Sequence, residues 1–146
     1  MLEYLKDLGV TGVYFNPIFE STENHKYNTT DYTKIDKDFG DDKDMQEFIS
    51  KAHSLGIKVM IDAVFNHSGT NFFAWQDVLK HGKDSAYFDW FYINDPSNLT
   101  QKKSTKDGRY FTFAFVEEMP KLNTNNPKVV QYFLDVTKDW LTRWDL

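Results

Sequence analysis

The sequence predicts an α/β fold in which two parallel strands flank a helix and a long irregular stretch then interrupts the alternation. Three observations predict it. Val10–Phe15 and Ile57–Phe65 are short apolar runs of the kind that parallel sheets bury on both faces. A helical pattern lies between them, and parallel neighbours require such a crossover, which is right-handed. Residues 68–118 carry no matching pattern and are too many for an ordinary strand-to-helix connection, so they read as an inserted subdomain.

Taken in order, Leu2, Leu5 and Leu8 recur at helical spacing and Gly9 follows, the pattern of the last turns of a helix with a glycine stop. The first strand, 10–15, is ended by Asn16-Pro17. From Ile18 to Phe39 the chain is polar and aromatic without a period, which predicts a long working loop. Met45, Phe48, Ile49, Ala52 and Leu55 form the apolar face of the next helix, Glu47 can pair with Lys51, and Gly56 ends it. The second strand, 57–65, follows. Within the insertion a short helix is expected over Phe73–Leu79 and a strand over Tyr110–Phe115. Asn126 then suits an N-cap and Pro127 the first helical position, with Val129, Val130, Phe133, Val136, Trp140 and Trp144 lining one side.

Composition narrows the function classes. A net charge of −5 over 146 residues argues against nucleic acid, which needs clustered cations. The short basic run at 101–106 reads as a solvated loop. Without cysteine there is no disulfide framework, thiolate nucleophile or thiolate metal site. His25, His53, His67 and His81 lack the close pairing of a zinc site. No apolar run is long enough to span a bilayer, and Met1–Leu5 is not a secretion signal, so the expected location is cytoplasmic, with no membrane partner. Aromatic residues make up 17% of the chain. Part of that is core, and the excess suits a protein whose rings pack against the apolar faces of sugars.

Ligands of parallel α/β folds bind at the C-terminal ends of the strands. Two clusters fall there. One is Asn16-Pro17 with the loop that holds Asn24-His25-Lys26-Tyr27; the other is Asp62 through His67. Strand alternation would put Asp62, Val64 and Asn66 on one side. Asp62 reads either as a structural carboxylate holding a loop or as an electrostatic partner of a catalytic group.

Asp62-Ala63-Val64-Phe65-Asn66-His67 resembles the first conserved region of the α-amylase superfamily of (β/α)8-barrel glycosidases. Met119-Pro120-Lys121-Leu122-Asn123-Thr124 resembles a second conserved stretch, in the form carried by the cyclomaltodextrinase, neopullulanase and maltogenic amylase subgroup. Tyr14–Phe19, Asn24–Thr29, Phe73–Leu79 and Asp89-Trp90-Phe91 fit the same subgroup in family order. The resemblance implies a partial (β/α)8 TIM barrel with an inserted domain B. Residues 1–67 would be the end of the first barrel helix, strand two, helix two and strand three; 68–120 domain B; and 121–146 the return to the barrel and helix three.

The resemblance also implies roles. Tyr27 would stack on the glucose ring just before the scissile bond, an aromatic suited to a sugar's C–H face. His67 would hydrogen-bond the C6 hydroxyl of that glucose, with His25 a weaker candidate in the same loop. Asp62 would orient an arginine of strand four, Asn16, Asn66 and Lys121 would be further supporting residues of the site, and Lys121 would bridge domain B to the end of strand three close to Asn66. Asn66 matches a calcium ligand of calcium-dependent amylases, but Lys121 stands where those carry an aspartate. An ammonium group cannot ligate calcium, so no metal is expected at the Asn66/Lys121 position and no cofactor elsewhere.

The implied activity is hydrolysis of α-1,4-glucosidic bonds in cyclodextrins, maltooligosaccharides, starch or pullulan. The mechanism is retaining, with an aspartate nucleophile and a glutamate acid–base. Family members place these carboxylates on strands four, five and seven, so the chain by itself is expected to be inactive, and the full-length parent to act as a possible homodimer. Alternative readings are a non-catalytic piece that binds maltooligosaccharides and an inert structural fragment. With both edges of a two-stranded sheet unpaired, the isolated fragment is expected to be marginally stable.

Overall fold

The computed structural model describes residues 1–97, 99, 108–114 and 116–146. The basic run 101–106 lies outside the described residues. Helix α1 (Leu2–Asp7) is followed by strand β1 (Gly12–Phe15), strands β2 (Phe19–Ser21) and β3 (Thr29–Ile35), helix α2 (Asp42–Ser54) and strand β4 (Lys58–Ile61). Helix α3 (Phe73–His81), two short 3-10 turns and the long helix α4 (Pro127–Trp144) complete it.

Strands β1 and β4 pair in parallel, from Gly12 opposite Lys58 to Phe15 opposite Ile61. With α2 between them they form the expected βαβ unit. This is an α/β fold with a few strands and helices, consistent with part of a barrel-type catalytic domain that carries extra helices. Both strands are shorter than their apolar runs. Pro17 has no N–H to offer the ladder, so pairing ends where β1 ends. The last such bond is Asp62 N–H to Phe15 O, at 3.0 Å. Phe65 then turns back on Ala63 O at 3.0 Å. The chain from 62 to 66 is therefore not straight, and the expected alternation fails: Val64 is buried, Asp62 half-buried and Asn66 exposed.

The stretch 18–39 is not a loop, as its lack of period suggested, but an antiparallel pair, β2 with β3. The register shifts on both sides of Glu20, and β3 buries Thr29, Tyr32 and Ile35, every third residue. A period of two was therefore absent from the sequence. At the other end, residues 110–114 form no strand. Only single bridges occur there, Ile93 with Tyr110 and Thr112 with Pro120, while Phe115 lies outside the described residues.

Helix α2 starts from a capping box in which Asp41 accepts from Lys43 N–H and Asp44 N–H, while Asp44 reaches back to Asp41 N–H. Gly40 precedes it at φ 107, and a Cβ there would lie 2.3 Å from Asp44 Oδ2. Met45, Ile49 and Ala52 are buried as expected. Lys51 pairs with Glu3 of α1 at 2.6 Å rather than with Glu47, which lies 3.8 Å from Lys43. Helix α3 runs two residues past its expected end at Leu79. In α4, Asn126 caps Lys128 N–H at 2.9 Å. The helix buries Val129, Phe133, Val136, Trp140 and Trp144, but Val130 points to solvent.

Much of the aromatic excess is core. Trp140 stacks on Phe19 with centroids 4.5 Å apart and donates its indole N–H to Tyr32 O at 2.7 Å. Phe65 lies 4.4 Å from Phe133. Helix α4 is thereby fixed against both the hairpin and the exit of β4, which places those two segments side by side. Among the described residues no helix is long and apolar enough to cross a membrane.

Candidate functional site at the C-terminal ends of the parallel strands

The turn between β2 and β3 carries His25, Lys26 and Tyr27, and the segment leaving β4 carries Asp62, Asn66 and His67. They meet because the two backbones approach closely. Gly69 N–H donates to Thr29 O at 2.7 Å, and a Cβ on Gly69 would lie 2.3 Å from Asn28 O. No larger residue fits this crossing without movement. Tyr32, fully buried, donates its hydroxyl to His67 O at 2.7 Å.

His67 is 3% exposed. Its Nε2 faces Tyr27 O at 2.9 Å, and its Nδ1 faces Asn66 Nδ2 at 3.2 Å. A carbonyl can only accept and an amide nitrogen can only donate, so the ring is neutral with its proton on Nε2. Burial pushes its pKa below the ordinary 6.5, partly opposed by the bond to Tyr27 O. One face of the ring stacks on Phe113, with centroids 4.7 Å apart.

Tyr27 is 37% exposed. Its N–H donates to His25 Nδ1 at 3.1 Å, and the two rings lie 5.9 Å apart. Hydrogen bonding to the Asp62 carboxylate holds the Tyr27 phenol above its usual pKa. The Tyr14 phenol is raised as well, by desolvation and by the same carboxylate. Asp62 is thus a common neighbour of two exposed tyrosines at the end of the sheet. Tyr14 shares the exposed sheet face with its register partner Met60.

Lys121 pairs through its backbone with the segment leaving β4. His67 and Lys121 form an antiparallel bridge, flanked by Ser68 N–H to Pro120 O at 3.1 Å and Leu122 N–H to Asn66 O at 3.0 Å. The ammonium lies 5.8 Å over the Tyr92 ring. Asn16 stands apart from this group. It lines an apolar cavity of about 620 Å³ with Phe15, Ile18, Phe39, Met45 and Phe48, which neither Tyr27, His67 nor Asp62 borders.

Sequence reasoning passed over Tyr14, Phe113 and Lys26 as site residues. Lys26 is 4% exposed at φ 61, and its Nζ lies 3.0 Å from Asp36 Oδ2 and 2.7 Å from Asp38 Oδ2. The bond to Asp38 raises the lysine's pKa against the cost of burial. Burial opposes ionisation of Asp36, but the Asp38 N–H, Lys26 and the Ser21 N–H outweigh it and lower its pKa. These two aspartates are therefore committed to a cation. No signal in a polar run distinguishes such a lysine from a solvated one.

The family model for the α-amylase catalytic domain matches residues 1–146. A cyclomaltodextrinase of Geobacillus thermopakistaniensis (strain MAS1) is 48% identical over 145 residues, covering 99% of this chain and 24% of that protein. Neopullulanase 2 of Thermoactinomyces vulgaris is 49% identical over 142 residues, covering 96% and 23%. The solved structure of a cyclomaltodextrinase superposes with a TM-score of 0.85 at 45% identity, covering 96% of this chain and 24% of that one. The chain spans about a quarter of the length of these relatives. It belongs to the α-amylase family, in the cyclomaltodextrinase, neopullulanase and maltogenic amylase subgroup, and matches part of that family's catalytic domain.

Proposed function

We propose that this chain forms the glucan-contacting wall of a hydrolase that cleaves α-1,4-glucosidic bonds in cyclodextrins, maltooligosaccharides, starch or pullulan. The reading is carried by one observation: the Tyr27 ring stands open beside Asp62, with its backbone carbonyl held by His67, at the C-terminal ends of two parallel strands. A half-exposed ring held from its backbone suits the C–H face of a glucose unit. The edge of the His67 ring can share its Nε2 proton with a sugar hydroxyl, and Asp62 can hold a cationic side chain from a neighbouring strand. His25 braces Tyr27. Asn66 and Lys121 support His67 through its ring and its backbone neighbours, and Asn16 shapes the end of β1.

The reaction is retaining, and its nucleophile and acid–base come from residues other than 1–146. Such a pair stands about 5 Å apart across the sugar. Asp36 and Asp38 share the Lys26 ammonium, and Asp31 Oδ1 accepts from both the N–H and the hydroxyl of Thr33, which leaves these aspartates structural work. In the whole protein residues 1–67 and 121–146 belong to a TIM barrel and 68–120 to domain B. No calcium is expected beside Asn66, because position 121 carries an ammonium group where a carboxylate ligand would be needed. The whole protein works in the cytoplasm and pairs as a homodimer.

The test is hydrolysis of β-cyclodextrin and maltoheptaose by the whole protein, with the anomeric configuration of the first product read by proton NMR. Release of α-configured maltooligosaccharides is expected. No release, or β-configured products, would overturn the reading.

A further inference from the structure

The turn that presents Tyr27 is held from below by a buried cation. Lys26 adopts a left-handed backbone conformation unusual for a residue with a side chain, and this turns its ammonium inward while its neighbour Tyr27 stays open. The ammonium meets Asp36, itself 4% exposed, and Asp38, with the Phe39 ring 5.8 Å away. Asp36 also accepts from Ser21 N–H at 3.1 Å and Asp38 N–H at 3.0 Å. One carboxylate therefore ties together the end of β2, the chain beyond β3 and the turn between them. Lys26 N–H donates to Glu23 O at 3.1 Å, and Thr29 Oγ1 donates to Lys26 O at 3.4 Å. Asn28, on the other side of Tyr27, donates to Thr22 Oγ1 at 2.6 Å and accepts from Ser21 Oγ. The residues on both sides of Tyr27 are thus locked inward.

We propose that Lys26 is a positioning residue for glucan binding: anchored on Asp36 and Asp38, it fixes where the Tyr27 ring stands and so sets affinity for α-glucan without touching sugar. This rests on the reading that Tyr27 contacts the glucan. A buried ion pair adds little net stability over an apolar replacement of the same shape, but it does fix one geometry, because a displaced charge would be left unpaired. A hydrophobic side chain at position 26 could slide; an ammonium held by two carboxylates cannot.

The experiment is a double-mutant cycle on maltoheptaose hydrolysis by the whole protein. Lys26→Met with Asp36→Asn removes both buried charges at nearly constant shape. Asp38→Asn loosens the clamp from its exposed side, where folding is not at stake. Each is made alone and on a Tyr27→Ala background. The expected result is a KM raised at least fivefold with kcat within twofold, and no further rise once Tyr27 is Ala. If Tyr27→Ala raises KM but the clamp variants leave it unchanged, or if their effects multiply with that of Tyr27→Ala, the role of Lys26 is overturned and that of Tyr27 stands. If Tyr27→Ala itself leaves KM unchanged, both fall. Should the buried double variant fail to fold, Asp38→Asn decides by the same criteria.

Discussion

His67 donates through Nε2 to the carbonyl of Tyr27 at 2.9 Å, across a separation of 40 residues in the chain. This bond joins the segment leaving β4 to the turn between β2 and β3, and it fixes the protonation state of the imidazole. A protonated ring could keep the bond to Tyr27 O, but its Nδ1 would then point a proton at the Asn66 amide nitrogen, and the charge would be buried.

The pH dependence follows with a definite sign. Burial lowers the His67 pKa from 6.5 in the folded state, so the unfolded chain takes up a proton first as pH falls. The stability contributed by neutral His67 is fully present above pH 6.5 and declines below it, through the lowered folded value. Urea midpoints of the whole protein and of His67→Gln, compared between pH 7.5 and 5.5, should show a steeper fall for the wild type. Equal slopes would mean that His67 is not held neutral by the fold.

Tyr32 supplies the hydrogen bond to the His67 carbonyl from inside the core. Tyr32→Phe keeps the ring, which packs edge-on against Phe72 and Phe133, and leaves the carbonyl unpaired. A buried acceptor without a partner costs about 1–3 kcal/mol. Chemical denaturation should show a loss in that range, together with a raised KM, because the carbonyl belongs to the residue that holds Tyr27.

Gly69→Ala tests the backbone crossing. The new methyl group would stand 2.3 Å from Asn28 O and 2.9 Å from Asn28 C. Both are backbone atoms that cannot rotate away, so the two segments must separate, at a cost of about 1–3 kcal/mol. A lowered melting temperature with KM raised more than kcat is lowered is the expected pattern. Wild-type values for both would show that the two segments are not in contact.

The βαβ core was legible because its signals are local and additive: apolar runs at 10–15 and 57–65, a capped amphipathic helix between them, and glycines at both helix ends. The β2–β3 pair was hidden because its register shifts erased the period of two that reveals a strand. Strand β4 was overextended because Phe65 is apolar for packing against α4 and Val64 is buried beyond the ladder, neither of them for pairing. Among site residues, motif order pointed to Tyr27, Asp62, Asn66 and His67, and the fold brings them together. Asn16, equally near a strand end in sequence, faces a different cavity. Lys26 and Phe113 escaped notice because their roles depend on partners 10 and 46 residues away in the chain, Asp36 and His67, which no local pattern signals.

The proposed division of labour in the whole protein, glucan contact by residues 1–146 and bond cleavage by carboxylates elsewhere, can be tested in one measurement. A retaining hydrolase forms a covalent glycosyl intermediate on its nucleophile. An activated fluorinated α-glucosyl donor, which forms that intermediate quickly and releases it slowly, should label the whole protein, and peptide mapping by mass spectrometry locates the label. A single labelled aspartate outside residues 1–146 is the predicted result. A label on Asp31, Asp36, Asp38 or any other carboxylate within residues 1–146 would contradict it.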